Sequence, residues 1–418
     1  MSAVLSSRFK EGSILGGILL LSGSCIGAGM LALPVSTGLG GFFPSLLWFV
    51  VAWLFMTTTS LLLLEANLAL GYDLSLISLA EKTLGPIGKI LTWFFFLFLF
   101  YSLSIAYIAA SGGILQGVIF DFFQIPFPPW AGSLIFTAIF SVFLIIGTRS
   151  VDYLNRFLMV GLFIAYFALL GIGSFYSKLE LLLAHHFSYS IAALPVIIIS
   201  FGFHNMIPSL AMYFKGDPRR LRTTIIIGSF IPLVIYLLWQ AVMLGIIPAQ
   251  GRAGLLDALD KGQAATEALR SIVQGNIVVY VAQIFALFAI MTSFLTQSLS
   301  LVDFLADGLK IPKEKFGRVV LVGLTLIPPF LFAFLYPGIF IRALNMAGGF
   351  SAVILFGIFP ALMIWVIRYK QKEEAPPILP SGRVILIIVV FVAVAIFSLE
   401  AAQEFGFSFI PKNVEAVP

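Results

Sequence analysis

The chain has 418 residues, of which 60% are hydrophobic and 15% aromatic, while only 10% are charged. A soluble domain carries about 25% charged residues, so this chain lacks the polar surface a water-facing fold needs and reads as an integral membrane protein. The net charge of +5 does not point to nucleic acid, because the basic residues lie in short turns between apolar runs. A single cysteine, Cys25, excludes an internal disulfide, and three histidines supply no metal-ligand spacing, so no cofactor is expected.

Eleven apolar segments approach the roughly 20 residues that a membrane helix needs. In chain order they cover about residues 13–33, 41–70, 87–119, 131–148, 157–176, 190–213, 224–247, 277–305, 319–336, 345–366 and 384–399. None alternates as a barrel strand does, so the expected class is all-α with 11 transmembrane helices. Residues 19–25 loosely resemble a lipoprotein cleavage site, but the apolar run continues past Cys25, and the first segment is read as a retained span. Charge sets the orientation. With the N-terminus in the cytoplasm, only Lys178, Arg252, Lys261, Arg270, Arg342 and Lys412 of the 24 basic residues fall outside. The C-terminus is then external.

Segments one and six share an interruption. In the first it is Gly23-Ser24-Cys25-Ile26-Gly27-Ala28-Gly29; in the sixth, Ser200-Phe201-Gly202-Phe203-His204-Asn205, closed by Pro208. Segments two to five are matched by seven to ten, giving a first repeat over 13–176, a second over 190–367 and an extra helix over 384–400. A repeat of five spans is odd, so the second copy enters the membrane inverted. Paired breaks in inverted halves point to a transporter site.

A helix stopped in mid-membrane leaves backbone groups that need a cavity or a ligand. The amide end at Gly27, Ala28 and Gly29 suits a carboxylate. The carbonyl ends near Ser22 and Ser200 suit an ammonium group or a cation. Together they fit a zwitterionic α-amino acid. The alternative is plain helix packing, because Gly23 and Gly27 form GxxxG, as do Gly12 and Gly16.

The run from Gly23 to Pro34 resembles the first-helix signature of the hydroxy and aromatic amino acid permeases, within the amino acid-polyamine-organocation superfamily. Leu64-Glu65-Ala66-Asn67 and the run from Ser200 to Ser209 are similar to its second- and sixth-helix motifs. The stretch from Gly27 to Pro34 is most similar to the tyrosine- and tryptophan-specific branch. Members more often carry Thr where this chain has Ser24, and Cys25 has no matching position. The resemblance implies a LeuT-like five-plus-five inverted repeat with broken helices one and six. It also implies import of an aromatic L-amino acid across the inner membrane, by analogy driven by protons.

Other polar residues carry two readings each. Ser104, Tyr107 and Ser111 share a helical face in segment three, with Tyr101 one turn earlier. Tyr107 is a candidate for the substrate carboxylate or for an interhelical bond. Ser293, Thr296, Gln297, Ser300 and Asp303 form a stripe in segment eight, beside Thr292. Those hydroxyls would make a sodium site in sodium-coupled relatives, or bond between helices. Glu65 is a gating or proton candidate by its position in a span, or an interfacial group. His204 lies in the second break and is a candidate for substrate contact or proton coupling. Phe201 and Phe203, flanking Gly202, would supply a π-rich wall. Residues 254–273 place Leu255, Leu259, Leu269 and Ile272 among charges at helical spacing, as an external lid or a peripheral amphipathic helix.

Two other classes fit poorly. A hydrolase would want GxSxG, which is absent; Ser24 with His204 is the only conceivable dyad. A metal-ion transporter would want Asp and Asn at the first break, where Gly, Ser, Cys and Ala stand. Sodium-driven uptake of small neutral amino acids is the alternative within the transporter class.

Overall fold

In the computed structural model the described residues are 12–184, 186–251, 253–273, 277–371, 377–379 and 382–407. Among them the fold is helical throughout. Helix α1 (Ile14–Cys25) and helix α2 (Gly29–Thr37) differ in direction by 54° across Ile26, Gly27 and Ala28. Helices α3 (Phe42–Leu70), α4 (Leu76–Phe123), α5 (Pro129–Ile146) and α6 (Thr148–Ser174) follow, then the short surface helix α7 (Leu179–Leu183). Helices α8 (Leu194–Ser200) and α9 (Ile207–Tyr213) share the apolar stretch Ile191–Tyr213. After α10 (Pro218–Ile246), the short helices α11 (Leu255–Asp260) and α12 (Ala265–Ile272) precede α13 (Ile277–Leu309) and α14 (Lys315–Leu335). Helix α15 (Phe340–Met346), a π-helical stretch (Ala347–Ile358) and α16 (Phe359–Val366) run on as one span to Gln371, and α17 (Arg383–Glu404) closes the fold.

Ten of these helices are long and apolar enough to cross a membrane, or eleven when α1 and α2 count as one span. Composition placed the spans, but several ends differ from expectation. The sixth helix of the chain, α6, starts at Thr148 rather than near residue 157, because the polar stretch before the apolar run is itself helical and carries the Asp152–Arg156 ion pair one turn apart. Helix α4 runs from Leu76, with a kink where Gly85 (φ 75°, ψ −164°) precedes Pro86. Proline disfavours helical geometry in the residue before it, and glycine takes up the positive φ. The apolar run from residue 87 is therefore the part after the bend. The connection at 254–273 is two helices rather than one, divided at Gly262 (φ +62°). Arg252 and Lys412 lie outside the described residues.

The first break is shorter than its glycine pattern suggests. Gly23, Ser24 and Cys25 stay helical, with the Ser24 hydroxyl donating to Leu21 O at 2.7 Å. In the second, Phe201 and Phe203 leave helical geometry, and a 3₁₀ turn at His204–Met206 leads into α9. These interrupted helices lie at the centre, against α3, α10 and the π-helical stretch. The stretch Ile191–Tyr213 is 67% buried in the protein, whereas α5 and α6 are 33% buried and α17 28%. Phe157, Phe391 and their exposed neighbours on those outer helices present the apolar surface that lipid must cover.

Candidate functional site

A cavity of about 570 Å³ lies against both breaks, within the size range of small-molecule sites. One wall is the chain from Gly23 to Gly29, and facing it are Ile199, Ser200, Gly202, Asn205 and Met206. Helix α4 contributes Phe96, Leu99, Phe100, Leu103 and Tyr107, and α13 contributes Thr292, Ser293, Thr296, Gln297 and Ser300. Leu344 and Phe356 close one side, and the cavity runs to Asp152, Asn155 and Arg156 at the start of α6.

The structure thus gathers Ser24, Cys25, Gly27, Ala28, Gly29, Tyr107, Gly202, Thr292, Ser293 and Thr296 around one space. Phe201, Phe203, His204 and Glu65 are not among its lining residues. Phe201 is buried edge-on against Tyr236, with ring centres 5.1 Å apart. His204 is fully buried between Phe203 and Phe356, the latter stacked at 4.7 Å, and its Nε2 lies 2.9 Å from Thr59 Oγ1. The aromatic side of the cavity is instead Phe96, Phe100 and Phe356, with Phe96 stacked on Phe100 at 5.7 Å.

At the amide end of the first break, Ala28 N–H donates to Ser293 Oγ at 2.9 Å. The amides of Gly27 and Gly29 have no hydrogen-bond partner among the described residues and remain at the positive end of α2. A Cβ on Gly27 would stand 2.0 Å from Ser293 Oγ, and one on Gly29 would stand 3.1 Å from Ser200 Oγ. Gly27 is thus required by the approach of α13. Gly12 and Gly16 serve packing, because a Cβ there would meet the Tyr213 ring at 2.2 Å and its hydroxyl at 2.8 Å.

The carbonyl end of the first break is at Cys25, not Ser22, since Ser22 O already accepts from Ile26 N–H at 3.1 Å. The Tyr236 hydroxyl of α10 reaches both breaks, lying 2.6 Å from Cys25 O and 2.7 Å from Ser200 O. On α13 the hydroxyl protons are used within the helix: Thr292 donates to Phe288 O, Thr296 to Thr292 O and Ser300 to Thr296 O. These three residues line the cavity with Ser293, whose Oγ accepts from Ala28 N–H. The Tyr107 hydroxyl has no hydrogen-bond partner among the described residues, whereas Tyr101 donates to Leu324 O at 2.9 Å.

Glu65 is held elsewhere. Arg368 donates to it through Nε at 2.6 Å and Nη2 at 2.7 Å, and Ile378 N–H adds a third bond at 2.9 Å. Far from this pair, α11 and α12 rest on α2. There Arg270 forks onto Asp121 of α4 at 2.7 and 2.6 Å, and Gln283 donates to Asp121 at 2.9 Å. Beside them the Glu267 carboxylate faces Gly113, where a Cβ would stand 2.5 Å from it, and it accepts from Ala264 N–H at 3.1 Å. Burial pushes the Glu267 carboxyl up to about 7, against the opposing pull of that amide and of Arg270. No group of three His, Cys, Asp or Glu side chains suited to a metal occurs among the described residues.

Sequence reasoning missed Tyr236, Phe96, Phe100 and Phe356. A lone Tyr in an apolar helix and three of 43 Phe carry no local signal of their role.

Comparison with known proteins covers nearly the whole of this architecture. The chain is 33% identical over 395 residues to a tryptophan-specific transport protein of Haemophilus influenzae, covering 91% of this chain and 94% of the relative. It is 33% identical over 398 residues to tyrosine-specific transport system 1 of the same organism, covering 94% and 97%. A low affinity tryptophan permease of Escherichia coli is 30% identical over 393 residues, covering 91% and 94%. Residues 10–399 match the tryptophan/tyrosine permease family as a whole. With both breaks and the cavity inside that match, the chain belongs to the tryptophan/tyrosine permease family and is a membrane permease, not an enzyme.

Proposed function

We propose that this permease imports an aromatic L-amino acid, tyrosine or tryptophan, across the cytoplasmic membrane by proton symport. The observation that carries the reading is the cavity itself. It offers free amides at Gly27 and Gly29, carbonyls at Cys25 and Ser200, and an aromatic side of Phe96, Phe100 and Phe356 within one space. A carboxylate, an ammonium and a planar side chain are the three parts of the proposed substrate. An aromatic pair adds about 0.5–1.5 kcal/mol beyond area burial, a preference that the shape of the cavity must reinforce. The relatives named for tryptophan and tyrosine support the same substrate class.

In this reading the spans form a LeuT-like inverted repeat, 13–176 and 190–367, with 384–400 as an extra helix. The N-terminus is cytoplasmic and the C-terminus external, since Arg149 and Arg156 mark the basic end. The cavity runs to that end and α11 and α12 cover the other, which corresponds to an inward-facing state. His204, stacked on Phe356 of the cavity wall, is the proton-coupling candidate. The test is uptake of labelled tryptophan and tyrosine into proteoliposomes under a pH gradient or a sodium gradient imposed separately. Accumulation should follow the pH gradient and be inhibited by aromatic amino acids but only weakly by alanine. Strong alanine inhibition with no effect of aromatic amino acids would overturn the reading.

A further inference from the structure

We infer that Tyr236 is a positioning residue for the substrate ammonium group, its hydroxyl setting the placement of the Cys25 and Ser200 carbonyls that receive it. The inference rests on the proposed amino acid substrate. Cys25 ends α1 and Ser200 ends α8, so two helix ends distant in sequence present their carbonyls to one hydroxyl, at 2.6 and 2.7 Å. Both residues line the cavity, whereas Tyr236 is completely buried and does not. It therefore acts through the carbonyls and not by touching the substrate.

The chemistry of the contact is restrictive. A tyrosine hydroxyl has one proton and each carbonyl oxygen has two lone pairs, so Tyr236 leaves acceptor capacity on both. Two carbonyl dipoles with their negative ends converging repel each other in a low-dielectric interior, and the hydroxyl proton between them offsets that repulsion. A substrate ammonium supplies the same kind of donor from the cavity side. The ring is fixed by Phe201 at 5.1 Å and Phe49 at 6.4 Å, both edge-on. One turn along α10, Trp239 Nε1 donates to Met30 O at 2.8 Å, so α10 also holds the other side of the first break. The two carbonyls are thus preset before the substrate arrives, and preset acceptors reduce the ordering cost of binding.

The sequence provides a direct probe, because Cys25 is the only cysteine. Protein grown on cysteine with a ¹³C carbonyl carries one isotope-shifted carbonyl, at residue 25, visible by infrared spectroscopy. Adding L-tryptophan to the full-length protein should lower that band, while indole-3-propionate, which has no donor in place of the ammonium, should not. In Tyr236→Phe the ligand-free band should rise. The KM for tryptophan should rise about tenfold with kcat within about twofold, which is about 1.4 kcal/mol of binding lost through misplaced carbonyls. An unmoved Cys25 band in a wild-type protein that accumulates tryptophan would overturn the assignment and leave the proposed function standing. An unchanged KM in folded Tyr236→Phe would overturn it too, as would equal weakening of both ligands. A wild-type protein that accumulates neither tryptophan nor tyrosine would instead refute the proposed function. The wild-type infrared arm decides the matter even if Tyr236→Phe does not fold.

Discussion

Glu65 on α3 and Arg368, at the end of the span formed by α15 and α16, meet as a two-pronged ion pair at 2.6 and 2.7 Å, with side chains 3% and 15% exposed. A carboxylate inside a span is a functional candidate by default, but this one already has a counter-charge and an amide. Removing one partner of such a pair costs about 3–5 kcal/mol, because the other charge is left uncompensated. Glu65→Gln should therefore lower the thermal midpoint of the purified protein sharply. Adding Arg368→Met should recover part of the loss. A Glu65→Gln protein as stable as wild type that has lost pH-driven uptake would give Glu65 a transport role instead.

Glycine substitutions at the first break should separate by position. Gly27→Ala drives a methyl group into Ser293 Oγ, at 2.0 Å, and should abolish uptake. Pairing it with Ser293→Ala removes the obstructing atom and should restore a measurable fraction. Gly23→Ala meets only the flexible end of Met159, at 3.3 Å, and should transport nearly normally. Initial uptake rates, normalised to protein in the membrane, check all three. Equal loss in Gly23→Ala and Gly27→Ala would return the whole run to general helix packing.

Much of the helix placement is legible in the sequence because membrane spans are a matter of composition, whereas the bend at residues 26–28 is not marked by glycine alone, since Gly23, Ser24 and Cys25 stay helical. Nor is the aromatic lining legible. An unwound segment has no fixed period, so nothing in Phe201-Gly202-Phe203 reveals that both rings turn away from the cavity. The partner of Glu65 lies 303 residues away, beyond any local pattern. Helix α6 begins before its apolar run, because polar residues with an ion pair one turn apart form helix as readily as apolar ones.

The docking of α12 should respond to pH. The Glu267 carboxyl is raised to about 7 where α12 is docked, while an exposed glutamate titrates at about 4.3. Docking therefore favours the protonated form, and the docked arrangement loses stability as pH rises from the lower value through about 7. Asp121 and Arg270, paired beside it, hold α12 by a contact of their own. A spin label at exposed Ser271 should become more mobile between about pH 4 and about pH 7 in wild type and stay constant in Glu267→Gln. Identical profiles in the two proteins would exclude Glu267 as the titrating group.

His204→Gln tests coupling. Gln retains a hydrogen-bonding group for Thr59 but does not titrate, so substrate binding should persist in part while accumulation driven by a pH gradient is lost. Binding and uptake are to be measured on the same purified variant. Full pH-driven accumulation would remove His204 from the mechanism.

The central claim is that an aromatic amino acid and a proton enter together through this cavity. Its most direct test is a pH-sensitive dye trapped inside sodium-free proteoliposomes that hold the wild-type protein, with no ion gradient imposed. Adding tryptophan or tyrosine outside should acidify the interior, in step with uptake of the labelled amino acid. Uptake of the amino acid with no movement of internal pH would contradict proton symport, and no uptake of either amino acid would contradict the substrate.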